Sequence, residues 1–129
     1  MSLKRAETRS VAIAAGPAVV HGYLSEGANL SEWAPGFAPR VRPSGTHWLV
    51  VRDELEFLLD VRSQPLAGTA DFLAAGDHAR GLFARVLPNG EGSELVCTIM
   101  FTPDTPADVI EAQLITLETE LAAVRRACE

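Results

Sequence analysis

Residues 105–129 read TPADVIEAQLITLETELAAVRRACE, and this stretch decides the fold. Thr105 is placed as an N-cap, Pro106 as the first helical residue, and Asp108 as the acidic residue three beyond the cap. Ile110, Leu114, Leu117, Leu121 and Val124 then recur at spacings of four and three, which puts them on one face of a helix. Asp104, Asp108 and Glu111 sit where the helix begins, and Arg125 and Arg126 where it ends, an order that complements the helix dipole. At 1.5 Å per residue this helix runs about 33 Å. A helix of that length with a single apolar stripe has to lie against something as long and as apolar.

The preceding residues supply it. Residues 9–14 alternate, with Val11 and Ile13 on one side, and predict a first strand. Pro17 suits the first position of a helix carrying Val20 and Leu24, which ends near Glu26-Gly27. Residues 29–33 predict a second brief helix, closed by Pro35-Gly36. From there to Pro103 the pattern is strand and turn: 39–42, 46–52, 55–62, 69–75, 79–87 and a last strand carrying Leu95, Cys97, Ile99 and Phe101. Leu55, Phe57, Leu59 and Val61 alternate with Glu54, Glu56, Leu58, Asp60 and Arg62, a half-buried strand. Gly76-Asp77-His78 is read as a hairpin turn, and Pro88 to Gly92 as the next. Helices confined to the two ends of an antiparallel run give an α+β fold. Its architecture is a curved antiparallel sheet of about seven strands, wrapped around one long C-terminal helix, with two short helices after the first strand.

The 129 residues predict one domain, with residues 1–7 loosely ordered and Met1-Ser2-Leu3 set apart from the fold. Hydrophobic residues make up 47% and charged residues 22%, a globular composition. No apolar run approaches the ~20 residues of a membrane span, and no basic segment followed by an apolar one opens the chain. A cytoplasmic protein without a signal peptide is expected. The formal net charge of -6, with dispersed cations, argues against nucleic acid and against an anionic membrane surface. Cys97 and Cys128 match no metal or redox spacing and are read as reduced thiols.

Three stretches carry a resemblance to a known superfamily. They are residues 11–17 continued through Val20 and Leu24, Asn29-Leu30-Ser31-Glu32-Trp33 with its N-L-x-x-W pattern, and residues 85–98, RVLPNGEGSELVCT. Together they resemble the START/Bet v 1-like (SRPBCC) superfamily, in a polyketide cyclase/dehydrase-like branch of bacterial proteins with no established activity. The resemblance covers about residues 8 to 127. It implies a helix-grip fold and a cavity for a small apolar molecule between the sheet and the last helix. Relatives tend to read G-x-x-D-H where this chain has Gly68-Thr69-Ala70-Asp71-Phe72, so no role of that histidine carries over.

Candidate chemistry is sparse. His21, His47 and His78 fall on different elements and in no spacing that presents them together, so no metal and no cofactor are expected. His21, at a site often aromatic in relatives, is read as half-buried packing. No nucleophile elbow or phosphate loop is present in the sequence. Asp71 and Arg85 are placed opposite or nearly opposite on neighbouring strands, either outward as a solvated ion pair or inward as a polar anchor. Alternation with an inward Phe72 favours the outward placement. The apolar set Trp33, Trp48, Phe57, Leu59, Phe72, Leu82, Ile99, Phe101, Leu114 and Leu117 is the expected ligand surface, with Ala70, Ala74 and Ala84 leaving room. Binding of an apolar or aromatic, lipid- or polyketide-like molecule is the first reading. An aromatase/cyclase- or dehydrase-type enzyme using Asp71, Arg85, His21 and Tyr23 is the alternative, and it requires those side chains to converge. A homodimer through Leu49, Val51 and Leu58 is the third.

Overall fold

The computed structural model describes residues 3–129; Met1 and Ser2 lie outside the described residues. Seven strands form one antiparallel sheet: β1 (Arg5–Ile13), β2 (Arg40–Ser44), β3 (His47–Arg52), β4 (Leu55–Gln64), β5 (Thr69–Ala74), β6 (Asp77–Asn89) and β7 (Gly92–Phe101). Their order is β1-β7-β6-β5-β4-β3-β2, so every hairpin neighbour pairs and β1 closes on β7. Between β1 and β2 the chain forms α1 (Pro17–Ser25), a 3-10 turn at Gly27–Asn29, and α2 (Leu30–Trp33). The last element is α3 (Ala107–Cys128). No helix among the described residues is long and apolar enough to cross a membrane.

Period-two alternation sorts the strands into two faces. The inner face carries Val50 and Trp48 of β3, Phe57, Leu59 and Val61 of β4, and Ala70 and Phe72 of β5. It continues through Leu82, Ala84 and Val86 of β6 to Leu95, Cys97 and Ile99 of β7. The α3 stripe of Ile110, Leu114, Leu117, Leu121 and Val124 is buried against this face and joins it in one core with Val20, Leu24, Leu30 and Trp33. The helix packs over β1 and touches α1 and α2. Its far end is tied back by Glu129, whose carboxylate accepts from the Ala14 N–H at 2.8 Å and pairs with Arg125.

Several boundaries differ from expectation. The turn read over Pro88 to Gly92 narrows to residues 90–91, because Pro88 and Asn89 pair with Ser93 and Gly92, and β2 and β4 run on to Ser44 and Gln64. Strand β1 begins at Arg5, within the segment expected to be loose, because Arg5 pairs with Phe101 and Glu7 with Ile99 in register. Its inward positions Arg5, Glu7 and Arg9 are charged, which hid the alternation; they neutralise one another and Glu118 through ion pairs of 3.1 to 3.8 Å. Helix α3 opens one residue later than expected. Pro106 is extended (ψ 146°) and is the cap, its carbonyl accepting from Val109 and Ile110, while the Thr105 hydroxyl bonds Thr102 at 2.8 Å. His78 belongs to β6 rather than to a turn, since Asp77 already pairs with Ala74 across a bulge at Leu73/Ala74.

Candidate functional site

Cross-strand register sets the apolar candidates side by side. Phe72, Leu82 and Ile99 form one row across β5, β6 and β7, continuing from Val61 of β4. Ala70, Ala84 and Cys97 form the next. The Trp33 indole meets the edge of Phe72, with ring centroids 5.3 Å apart at 68°. Trp33, Leu59, Phe72, Phe101, Leu114 and Leu117 are buried, whereas Trp48, Phe57, Leu82 and Ile99 stay half-buried at the border of the core. Phe37, which precedes β2, extends this border by packing on Phe57 at 5.5 Å.

Two polar groups within this apolar region lack compensation. The Nε1 of Trp33 is fully buried and has no hydrogen-bond partner among the described residues, in a residue only 3% exposed. Glu120, half-buried on α3, has its carboxyl raised to about 7 by desolvation, with no offsetting cation or hydrogen bond among the described residues. Its charge also bears on Cys97, whose thiol burial pushes up to about 12, so that sulfur is an inert core group.

Two surface depressions accompany the core. A charged groove of about 430 Å³ runs between β1 and α3, with Arg5, Glu7, Arg9, Glu111 and Glu118 over Ile110 and Leu114. A smaller one of about 230 Å³ lies where Pro17 and His21 of α1 face Pro65, Gly68 and Val86. Neither lies over the Phe72-Leu82-Ile99 row.

The four polar candidates do not meet. Asp71 is on the outer face, where it pairs with Arg62 of β4 at 3.4 Å and lies opposite Phe83. Arg85 is two positions along, opposite Thr69, and exposed. His21 is buried, its Nε2 within 2.9 Å of the Thr69 carbonyl, and the Ser25 hydroxyl donates to the His21 carbonyl. The Tyr23 hydroxyl donates to Glu32 at 3.0 Å, and burial with that carboxylate raises its pKa far above the ordinary phenol value.

A different cluster forms instead. It lies on the outer face, where His47 of β3 and His78 of β6 converge on Asp60 of β4 although no sequence spacing links them. His47 Nδ1 lies 2.5 Å from Asp60 Oδ1, and His78 Nε2 lies 2.7 Å from Oδ2. Sequence spacing could not show this, because 13 and 18 residues separate the partners from Asp60 and only sheet register joins them. Beside Asp60, Leu73 is its cross-strand partner and is fully buried although it faces outward. The outer face also carries Leu58 and Met100, each 39% exposed, while Leu49 and Val51 are half-buried.

The cluster has a pH signature. Hydrogen bonds from His78 and then His47 hold the Asp60 carboxyl below its ordinary value. A carboxyl lowered on folding contributes stability above its unfolded pKa and loses that contribution as pH falls through the folded one. The Asp60→Asn variant is therefore less stable than the parent at pH 6. The gap shrinks as pH falls below about 4, the ordinary carboxyl value, checked by urea unfolding at a series of pH values.

No family model matches the chain, and no curated protein matches it in sequence. Solved structures do match it in fold. The Aha1 dimer from Colwellia psychrerythraea is similar with a TM-score of 0.74 at 13% identity, over 97% of this chain and 96% of that one. The Zhui aromatase/cyclase from Streptomyces sp. R1128 gives 0.69 at 15% identity, over 97% and 93%. A START superfamily protein from Mycobacterium smegmatis gives 0.67 at 11% identity, over 95% and 96%. With the sheet order, the long α3 and the short helices after β1, these likenesses show that the chain has a helix-grip fold, shared with solved structures that include a START superfamily protein and an aromatase/cyclase.

Proposed function

We propose that this protein binds a small apolar or aromatic molecule, lipid- or polyketide-like, between the inner face of the sheet and α3. The observation that carries this reading is the border of the core. Trp48, Phe57, Leu82 and Ile99 remain apolar where they are half-open, although an inner face that served packing alone could turn polar there. The fold supports it, since solved neighbours include a START superfamily protein and an aromatase/cyclase. The enzyme alternative has less behind it, because Asp71 and Arg85 lie on the outer face of β5 and β6 while His21 and Tyr23 lie on α1.

The test uses the purified protein and the fluorescent probe anilinonaphthalene sulfonate. Saturable enhancement is expected at pH 7, and Leu82→Asp is expected to weaken it at least ~10-fold, since a carboxylate in the apolar row has to be desolvated by the bound probe. Circular dichroism checks that the variant is folded. Absence of saturable binding to the folded parent sinks the reading.

A further inference from the structure

Strand β1 is an open edge of the sheet: among the described strands it pairs with β7 alone. Its backbone groups alternate in direction, as in any antiparallel strand. The Ile13 carbonyl stands against Gly92 of β7, whereas the Thr8 carbonyl accepts from Arg9 at 2.8 Å and the Ala14 N–H donates to Glu129. Even-numbered residues therefore turn their N–H and C=O away from the sheet, and Ala6, Thr8, Ser10 and Ala12 are all exposed. Such a row of outward groups is a template for a further strand.

The side chains beside that row discriminate among registers. Arg5, Glu7 and Arg9 share the inner side of β1 and line the groove of about 430 Å³ next to α3. Charges on an edge ordinarily keep other strands away. For a second copy of β1 laid antiparallel, the position of the two-fold axis decides. With the axis at Glu7, Glu7 meets Glu7 and Arg5 meets Arg9; at Arg9, guanidinium meets guanidinium. At Ser10 the charges face only Val11 and Ile13, and at Ala6 the overlap shrinks to Arg5–Glu7. With the axis at Thr8, Glu7 of each copy lies opposite Arg9 of the other, and the overlap runs from Arg5 to Val11. The same axis sets outward backbone groups face to face, Thr8 with Thr8 and Ala6 with Ser10.

We infer that a second copy of this chain docks on β1, edge to edge about a two-fold axis at Thr8, so that the sheet continues from one protomer into the next. The ion pairs that Arg5, Glu7, Arg9 and Glu118 make within the chain are between partly exposed side chains, weak enough to be exchanged for cross-protomer ones. The groove beside α3 gives the incoming inner side chains room. This contact is distinct from the outer face of Leu49, Val51 and Leu58, and nothing in it depends on the ligand proposed above.

The experiment follows self-association by size-exclusion chromatography with light scattering. A strand edge is a small interface, so the dimer is of the transient class and is sought at high protein concentration. The mass is expected to rise with concentration from 13.8 kDa toward twice that value, and to fall back as salt is added. Arg9→Glu sets two carboxylates opposite one another and Glu7→Arg sets two guanidinium groups opposite one another. Each is expected to weaken self-association at least ~10-fold. An equimolar mixture of the two variants is expected to restore association, because opposite charges then face each other again. Thr8→Pro removes an outward N–H without touching the β7 ladder, and is expected to leave a folded monomer. Circular dichroism checks the fold of each variant. In the parent, exchange of the Ala6, Thr8 and Ser10 amide hydrogens is expected to slow as concentration rises.

A parent that stays monomeric at every concentration overturns the inference. So does a mixture of the two charge variants that associates no better than either alone. A dimer that survives in folded Thr8→Pro but is broken by Leu58→Glu belongs to the outer face and overturns it too, as do edge amides that gain no protection while the parent dimerises. Because the amide exchange is read in the parent protein, the outcome does not depend on any variant folding.

Discussion

Replacing Leu117 with alanine is expected to lower the unfolding free energy by about 3 kcal/mol, the middle of the range for a buried leucine truncated in a packed core. Leu117 is 1% exposed and stands in the middle of the α3 stripe, between Leu114 and Leu121. Its surroundings are fixed from both sides, by the sheet below and by α1 and α2 beside the helix, so the gap cannot close by a small shift of α3. Loss comes from transfer of the missing carbons and from the cavity that remains. Ile115, two residues away on the same helix, is 59% exposed, and Ile115→Ala is expected to change stability by no more than about 0.5 kcal/mol. Urea unfolding of the pair measures both, with an unchanged denaturant slope as the sign that only stability moved. Similar costs at the two positions would mean that α3 is not seated as described.

The second large effect is at Gly81, where β5 and β6 pass the bulge. A Cβ there would press on the Phe72 carbonyl oxygen and stand 3.0 Å from the Leu73 Cα, and both are backbone atoms. Backbone inside a paired strand cannot swing aside as a flexible side chain does, so Gly81→Ala has to move β6 away from β5. The expected loss is about 2 to 3 kcal/mol, the scale of overpacking a tight interior. Gly36, with open space around its missing Cβ, is the matched control, and Gly36→Ala is expected to be nearly neutral. Thermal unfolding of the two variants checks the contrast. Gly81 also faces Leu73, the cross-strand partner of Asp60, so the same variant is expected to disturb the His47-Asp60-His78 cluster.

The fold was legible because each part of it leaves a local mark. The α3 stripe, the Pro17 position, and the alternation of β4 and β7 are read within windows of ten to twenty residues. The misreadings were local too. Arg5, Glu7 and Arg9 face inward as charges, so β1 looked shorter than it is, and Gly76-Asp77-His78 carried turn chemistry one residue past the actual turn.

The candidate site was legible only as a list of apolar residues. Alternation put Phe57, Leu59, Phe72, Leu82 and Ile99 on one face, and the sheet has them there. Alternation also favoured an outward Asp71, but its partner is Arg62 rather than Arg85. A partner across strands is fixed by register, and register depends on turn length and on the bulge at Leu73/Ala74, neither of which periodicity reports.

What the sequence determined by itself is the arrangement of helix and sheet, because amphipathic periods of two and of 3.6 dictate which faces must be buried against each other. Tertiary structure alone decided which distant residues share a neighbourhood. His47 and His78 came together on Asp60, Trp33 was left with a buried donor, and Glu120 became a carboxyl raised to about 7. Hydrogen bonding and desolvation act through space over a few ångströms, and a sequence holds no distances until the chain has folded.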